Sequence, residues 1–253
     1  CVCNLPITFQ ELKGNRKKIE SAKKIVCIIR TGKVFWGKYY NRINEMLENG
    51  GEFTLVQCTD YPFDGAIRFT AKNVKVNAPV HLRLRVPGWA ACGQIKGAGT
   101  DRELTAADAG TYLDILVEDL QNMDVQLNLD MKIRYTVANN MVEETVGQAA
   151  IERGPLVYCC ESADTHASTL DDIYLDLNAE FVPVEFEIEG RKMTALETEE
   201  YTIDRSEFDR NALYQPLKYH GMSKKHVRLI PYYAWDNRDY GEMRIWFPIA
   251  YTV

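Results

Sequence analysis

Hydrophobic and polar positions alternate along much of the chain after residue 52. The longest alternation is VQLNLDMKIRYTV, residues 125–137, in which every odd-numbered side chain is apolar or aromatic and every even-numbered one is polar. Because successive side chains of a strand point to opposite faces, this pattern predicts an antiparallel strand with one solvated face. The stretches EFTLVQC, VHLRLRVPGW, TYLDILVE and FVPVEFEIEG follow the same rule. Such strands, separated by turns, predict β-sandwiches.

Two of the shorter alternations place apolar side chains on one face of a strand. They are Val80, Leu82, Leu84 and Val86 in the first, and Val182, Val184, Phe186 and Ile188 in the second. By contrast, residues 199–226 carry few strand signals, and we expect a long excursion there.

The segment GQAAIERGPLVYCCE, residues 147–161, predicts two buried strands joined by a corner. Its Gly154-Pro155 step separates two apolar runs, and proline interrupts regular structure because it lacks an amide donor. We interpret this segment as the junction of two β units. The first sandwich is expected over residues 51–145, with the final strand 242–253 as a candidate extra member, and the second over residues 146–241.

Residues 1–50 follow a different pattern. Apolar residues at helical spacing predict helices over residues 7–28 and 34–49, although either could instead be a strand, since KIVCIIR is short and β-branched. The predicted fold class is therefore mainly β. It consists of two antiparallel, jelly-roll-like β-sandwich domains after a short, partly helical N-terminal segment.

The formal net charge of −6 is unevenly distributed. The first fifty residues contain ten Lys and Arg against four Asp and Glu, so they carry a net charge of +6 and the remainder −12. The lysines are interleaved with apolar residues at helical spacing, which favours a solvated helix over a nucleic-acid-binding arm. We expect no nucleic-acid partner. No apolar run approaches the roughly 18 residues of a membrane span, so no membrane partner is expected.

The cysteines and the N-terminus bear on the compartment. Seven cysteines at irregular spacing do not form a disulfide framework, and Cys159 and Cys160 adjoin in an apolar strand where they point to opposite faces. Reduced thiols and the lack of a recognisable signal peptide predict a cytoplasmic location. The chain begins with Cys1 rather than methionine. We therefore expect that residue 1 is not a natural start, as after truncation of the gene or a frameshift.

Candidate catalytic groups are few. No HExxH, GxSxG, P-loop or GxGxxG motif occurs, and the four histidines are scattered, at His81, His166, His220 and His226. Four carboxylates are candidates for paired acid and base chemistry, namely Glu143, Glu144, Glu152 and Glu161. Charges on the outward face of a strand are more often simply solvated. Arg153, beside Glu152 at the corner, is more typical of a structural ion pair.

Two further groups of residues suggest binding. Cys1 and Cys3 are candidate metal ligands, but two thiolates are half of a tetrahedral zinc set. Aromatic residues near turns and strand ends could stack on sugars, although large aromatics more often fill a core or an interdomain seam. They are Tyr61, Phe63, Trp89, Tyr232, Tyr233, Trp235 and Trp246.

Six segments in succession carry a resemblance to a known family. They are TDYPFDGAIRF, LRLRVPGWA, TYLDI, DVQLNLDMKIR, GQAAIERGPLVYCCES and LIPYYAWDNRDYGEMRIWF. In this order and spacing, over residues 50–253, they resemble the C-terminal β-sandwich region of the β-L-arabinofuranosidase family of glycoside hydrolases, family 127 and its relatives. The combination of PGWA, ERGPLVY and PYYAWDNR is highly specific.

The resemblance implies a larger architecture. Members of this family have an N-terminal helical barrel that holds the active site, followed by two β-sandwich domains. Their retaining mechanism uses a cysteine nucleophile in a zinc site formed by a glutamate and cysteines, with a glutamate as acid and base, all in the barrel. Residues 1–50 would be a remnant of the end of that barrel.

The stretch CVCNLP, residues 1–6, matches the family's cysteine motif in two ways. Cys1 is either the second member of a Cys-Cys pair, with Asn4 and Pro6 following, or Cys1 and Cys3 are themselves the motif and Asn4 replaces a further ligand. Neither match gives a complete site. The resemblance therefore implies zinc in full-length members and none in this chain.

These expectations define two functional hypotheses. The first is an accessory, non-catalytic β-sandwich portion of such a hydrolase, inactive alone, with the helical barrel as its partner. The alternative is a stand-alone carbohydrate-binding or interaction module, which an exposed aromatic platform would favour over a buried seam. Apolar surface left without a barrel also makes a second copy of the chain a candidate partner in a homo-oligomer.

Overall fold

The computed structural model describes residues 24–27, 39–46, 52–75, 79–167, 169–205, 207–209, 211–216, 221–238 and 240–250. Residue contacts divide the chain into two compact units, with the main boundary between Asp130 and Met131. Strands and short 3-10 turns make up the regular structure of the described residues, which contain no α-helix. The mainly β fold class is confirmed.

The first unit contains nine strands in its described part. They are β1 (Lys24–Cys27), β2 (Tyr39–Met46), β3 (Glu52–Thr59), β4 (Ala66–Lys72), β5 (Val80–Arg85), β6 (Gly93–Lys96), β7 (Arg102–Leu104), β8 (Tyr112–Val117) and β9 (Asp124–Leu129). Three form a sheet in the order β1-β5-β8, and six form a sheet in the order β2-β3-β4-β9-β6-β7. The pairings are antiparallel except that of β1 with β5.

The two sheets of this unit share one hydrophobic core. The inward face expected for β5 is confirmed, because Val80, Leu82, Leu84 and the following Val86 are all buried. Side chains of the six-stranded sheet belong to the same core, among them Ile67, Phe69, Val125 and Leu127. Burying each such side chain stabilises the fold by about 1.5–3 kcal/mol. A register slip of one residue would turn a whole set to solvent, so the alternation fixes the strand pairing.

The described part of the second unit contains nine further strands. They are β10 (Ile133–Thr136), β11 (Gln148–Arg153), β12 (Leu156–Glu161), β13 (Ile173–Tyr174), β14 (Val182–Ile188), β15 (Arg191–Ile203), β16 (Met222–Pro231), β17 (Met243–Arg244) and β18 (Trp246–Pro248). The main path of the sheet is β10-β11-β12-β16-β15-β13, while β14 pairs with β15, β17 with β12 and β18 with β11. Among the residues described in this unit, four 3-10 turns lie at Glu143–Thr145, Ser162–Asp164, Leu170–Asp172 and Tyr232–Ala234. Within the described residues, no helix has the length and apolar character needed to cross a membrane.

The corner predicted at residues 147–161 is present as a tight hairpin. Arg153 of β11 pairs with Leu156 of β12, so Gly154 and Pro155 form a two-residue loop between antiparallel strands. Gly154 has φ +56°, a conformation that glycine adopts without steric cost. The hairpin lies within the second unit and does not join the two units.

The helices expected over residues 7–28 and 34–49 are wrong where the structure describes them. Lys24–Cys27 is a strand that runs parallel to β5, and Tyr39–Met46 is a strand that pairs along its whole length with β3. Two residues of KIVC are β-branched, which favours a strand, and Tyr39–Met46 supplies the hydrogen-bonding partner for one edge of β3. These tertiary pairings outweigh the helical spacing of the apolar residues. The rest of both ranges lies outside the described residues.

The unit boundary also differs from the expected one. The alternating stretch 125–137 is not one strand but two, because β9 ends the first unit and β10 begins the second, so the boundary falls near residue 130 rather than 145. Val137, expected to point inward, is 65% exposed. The last strand, Trp246–Pro248, pairs with β11 and so belongs to the second unit, not the first.

The replacement Gly97→Ala is expected to destabilise the first unit. Gly97 has φ +98°, and a Cβ atom there would lie 1.9 Å from the Asp124 carbonyl oxygen, so the turn after β6 and the start of β9 would have to move apart. We expect a loss of about 3 kcal/mol or more in the free energy of unfolding, measured by urea denaturation. The matched control is Gly99→Ala, at φ +73° with open space around it, which should cost about 1 kcal/mol. Equal losses would contradict the steric explanation.

Candidate functional site

A buried ionic cluster lies where β12 leads into the turn Ser162–Asp164. The Arg238 guanidinium donates to Glu161 through Nε at 2.9 Å and through Nη2, and to Asp164 through Nη1 at 2.8 Å and Nη2 at 2.5 Å. Both carboxylates are buried, and they raise the pKa of Arg238, the hydrogen bond to Asp164 contributing most. Buried charges are tolerated when they are paired in this way. We call Glu161, Asp164 and Arg238 the arginine clamp.

The arginine clamp fixes the loop that carries the PYYAWDNR segment. The second oxygen of Glu161 accepts a hydrogen bond from the backbone N–H of Asp236 at 2.8 Å. Asp236 has φ +60°, a conformation that aspartate tolerates better than most residues. The Asn237 side-chain amide donates to the carbonyl oxygens of Ala234 and Trp235 at 3.1 and 2.9 Å. The loop is therefore held by side chains on both sides of Trp235.

The same loop presents aromatic rings to solvent. Tyr232 and Trp235 are 42% and 39% exposed, their ring planes lie 5° from parallel, and their centroids are 6.4 Å apart. Fully overlapping rings would have centroids much closer together, so these two rings are offset and each keeps uncovered surface. Tyr233 is also exposed, whereas Tyr61 is buried, and Phe63, Trp89 and Trp246 are partly buried. We call Tyr232 and Trp235 the aromatic platform.

The carboxylates singled out from the sequence do not come together. Glu161 belongs to the arginine clamp, while Glu143 and Glu144 are exposed in a 3-10 turn. Glu152 accepts from Arg134 at 2.7 Å and from Thr136 at 3.0 Å. Its ion pair with Arg134 is formed across the β10–β11 ladder, where Arg134 lies opposite Glu152.

A second group of buried carboxyls was not recognised from the sequence. Asp176 accepts from Lys224 Nζ at 2.6 Å, which lowers its pKa. Glu200, only 1% exposed, accepts from the Asp176 backbone N–H at 2.6 Å and from Thr198 at 3.2 Å, yet burial raises its pKa to about 7. The position of Glu200 could have been recognised from the spacing of its neighbours. It lies two residues from both Thr198 and Thr202, so the three side chains share one face of the strand, and all three are buried.

The thiols and histidines do not form a reactive site in the described part of the chain. Cys159 and Cys160 are free and fully buried, and burial raises the pKa of both, that of Cys159 to about 12. A thiol is nucleophilic only as thiolate, so these two are inert while the fold is intact. The other singled-out residues are placed as follows: His81 lies 2.5 Å from Asp114, His226 lies 3.8 Å from Glu197, His166 is exposed, and His220 is outside the described residues.

The expected zinc ligands Cys1 and Cys3 also lie outside the described residues. Among the residues that the structure describes, no group of three or more His, Cys, Asp or Glu side chains is arranged to hold a metal ion. The described residues thus do not fit the zinc site that the resemblance implies for the family, and no reaction step through zinc can be assigned to them.

Family models match both structural units. The model described as "Beta-L-arabinofuranosidase, GH127 middle domain" matches residues 37–131, and "Glycoside hydrolase family 127 C-terminal domain" matches residues 133–248. The chain belongs to glycoside hydrolase family 127. Within this family it carries the middle and C-terminal domains, and the junction between the two matches lies at the boundary between the two structural units. The family resemblance of the sequence is confirmed.

Individual family 127 relatives agree with this assignment. The chain is 26% identical to the non-reducing end beta-L-arabinofuranosidase of Bifidobacterium longum, over 80% of this chain and 32% of that protein. A solved structure titled "Glycoside hydrolase" superposes with a TM-score of 0.74 at 33% identity, over 83% of this chain and 34% of the other. The GH127 beta-L-arabinofuranosidase Ara127N-Se of Geobacillus stearothermophilus T6 gives a TM-score of 0.69 at 26% identity, over 82% and 32%. The chain spans about a third of the length of these proteins.

Loss of the arginine clamp is expected to destabilise the second unit. The variant Arg238→Met leaves two buried carboxylates without their guanidinium partner, so we expect a loss of about 3–5 kcal/mol in the free energy of unfolding, measured by urea denaturation. The matched control is Lys192→Met, which breaks an exposed ion pair with Glu185 and should change the stability little, because solvent screens such pairs. A loss in Arg238→Met as small as the control's would show that the clamp does not hold this part of the fold.

Glu200 is expected to make stability depend on pH. Because its pKa rises from 4.5 to about 7 on folding, its contribution to stability is complete below pH 4.5 and is lost as the pH rises to about 7, by about 3 kcal/mol in total. The variant Glu200→Gln resembles the protonated form and should remove this part of the pH dependence, measured by urea unfolding across that window. Asp176 acts elsewhere: its pKa is lowered, so its contribution is lost only as the pH falls below its ordinary value.

The control for this measurement is Glu199→Gln, whose side chain is exposed on the neighbouring position. It should leave the wild-type pH dependence intact. If Glu200→Gln kept the same slope as wild type between pH 4.5 and 7, the pH dependence would have to come from another group.

Proposed function

We propose that this chain is the accessory, non-catalytic β-domain portion of a β-L-arabinofuranosidase-type glycoside hydrolase. The observation that carries the proposal is the match of both units to the middle and C-terminal domains of family 127, in proteins about three times as long. In this proposal the two units brace a helical catalytic barrel, which supplies the nucleophile, the acid and base, and the zinc.

The internal chemistry of the second unit supports a structural role. Three of its buried acids, Glu161, Asp164 and Asp176, are each engaged by a cation within the same unit. Many glycosidases use two carboxyl groups that face each other across a cleft, whereas the resemblance assigns this family a cysteine nucleophile and a glutamate, both in the barrel. The described carboxylates are organised to hold loops and strands together, which is what an accessory domain requires.

A second candidate function is a carbohydrate-binding module. The observation that favours it is the exposure of the aromatic platform, since a ring face open to solvent can accept the apolar face of a sugar. This function does not exclude the bracing role, because a domain can pack against a barrel on one side and bind a polysaccharide on another.

The bracing role predicts that this chain and β-L-arabinofuranosidase activity elute in the same fractions of an extract of the source cells. An extract is fractionated by size exclusion, each fraction is assayed for hydrolysis of an aryl β-L-arabinofuranoside, and the chain is located by immunoblot. We expect the chain in active fractions well above its own 29.0 kDa, and we expect immunodepletion with an antibody against the chain to remove that activity.

The purified 253-residue chain serves as the internal control and should not hydrolyse the same substrate with or without added zinc. Chain found only at 29.0 kDa, apart from the activity, would contradict the bracing role. Hydrolysis by the purified chain would contradict its non-catalytic nature.

A further inference from the structure

The loop from Tyr232 to Arg238 combines three features. It exposes two nearly parallel aromatic rings, and it exposes a carboxylate beside them at Asp236. It is also held in place by hydrogen bonds to the buried arginine clamp. Each feature has a cost. Exposed rings forgo burial, and a left-handed aspartate carries backbone strain, so their joint presence indicates a site rather than a simple turn.

We infer that Tyr232, Trp235 and Asp236 form a binding surface for a neutral oligosaccharide. A sugar ring has an apolar face of C–H groups and a rim of hydroxyls. The faces of Tyr232 and Trp235 accept the apolar side, and the Asp236 carboxylate accepts hydrogen bonds from hydroxyls at the rim. Binding sites commonly combine apolar and aromatic surface with a few placed polar groups in this way.

The chemistry favours a sugar over a protein seam as the occupant. An apolar seam would bury Asp236 along with the rings, and an unpaired carboxylate there would carry a desolvation cost. A neutral sugar instead offers hydroxyl donors to that carboxylate, and part of its surface stays in water. Two offset rings with centroids 6.4 Å apart also present a broader surface than one ring, which suits a chain of sugars better than a single small ligand.

The arginine clamp positions this surface before any ligand arrives. Glu161 holds the Asp236 backbone N–H, and Arg238 ties the end of the loop to Asp164. The Asn237 amide bridges the carbonyls of Ala234 and Trp235. A loop that is already ordered does not lose conformational entropy when it binds, so weak stacking contacts suffice for measurable affinity. Glu161 is therefore a positioning residue and not a ligand for the sugar.

The inference deepens the carbohydrate-binding function proposed above and is independent of the bracing role. It is tested by affinity electrophoresis of the purified chain in gels that contain soluble arabinan, with dextran gels for comparison. We expect arabinan to retard the wild-type chain, and we expect Trp235→Ala and Tyr232→Ala each to weaken this retardation at least tenfold. Asp236→Asn, which tolerates the same backbone conformation, should weaken it several-fold.

The matched control is Tyr214→Ala, which removes a tyrosine that is 94% exposed outside the platform and should leave retardation unchanged. Thermal unfolding of each variant checks that it is folded before it is compared. A folded wild-type chain that neither polysaccharide retards would overturn the inference, as would a Trp235→Ala variant retarded as strongly as wild type. Retardation by dextran as well as arabinan would support the surface as a general sugar site. Failure here leaves the bracing role to be decided by the immunodepletion experiment alone.

Discussion

The second unit depends on one constraint, that a carboxylate cannot be buried without a partner. Glu161 and Asp164 lie at the end of β12 and the turn after it, in the interior of the unit. Arg238 reaches them from a loop more than seventy residues later in the chain. Because a planar guanidinium can donate to two carboxylates at once, a single side chain satisfies both and fixes the direction of the loop that carries it. Secondary structure alone would leave that loop free to move.

The unit buries acids in two different ways, with different consequences. In the arginine clamp the Arg238 guanidinium faces both carboxylates, and it keeps its charge because guanidinium does not deprotonate in proteins. In the Asp176–Glu200 pair, Lys224 engages Asp176, and the pKa of Glu200 moves into the neutral range instead. The first arrangement is a permanent brace for a surface loop. The second links the packing of β15 to the proton concentration.

Strand alternation correctly predicted the parts of the fold in which burial of apolar side chains determines which face of a strand lies inward. Val80, Leu82 and Leu84 are buried as expected, and the Gly154-Pro155 corner forms a hairpin as expected. Prediction failed where a strand is formed by pairing with a partner that is distant in sequence. The ladder between β15 and β16 joins residues 196–203 to 222–229, through a stretch with few strand signals. Likewise, one unbroken alternation over residues 125–137 conceals the boundary between units, because alternation does not reveal which partner each half will pair with. The arginine clamp was missed for the same reason, since the separation of Arg238 from Glu161 in sequence hides their contact.

The two adjacent thiols of β12 have a consequence for the dynamics of the second unit. Cys160 belongs to the core cluster that includes Ile151 and Val227, and Cys159, as its neighbour on a strand, points to the opposite face. Both are fully buried, so a thiol reagent can modify either one only when the layer that covers it opens. The pair is thus a natural set of reporters, one on each side of the same strand. Their relative reaction rates distinguish the opening of one face of the sheet from that of the other.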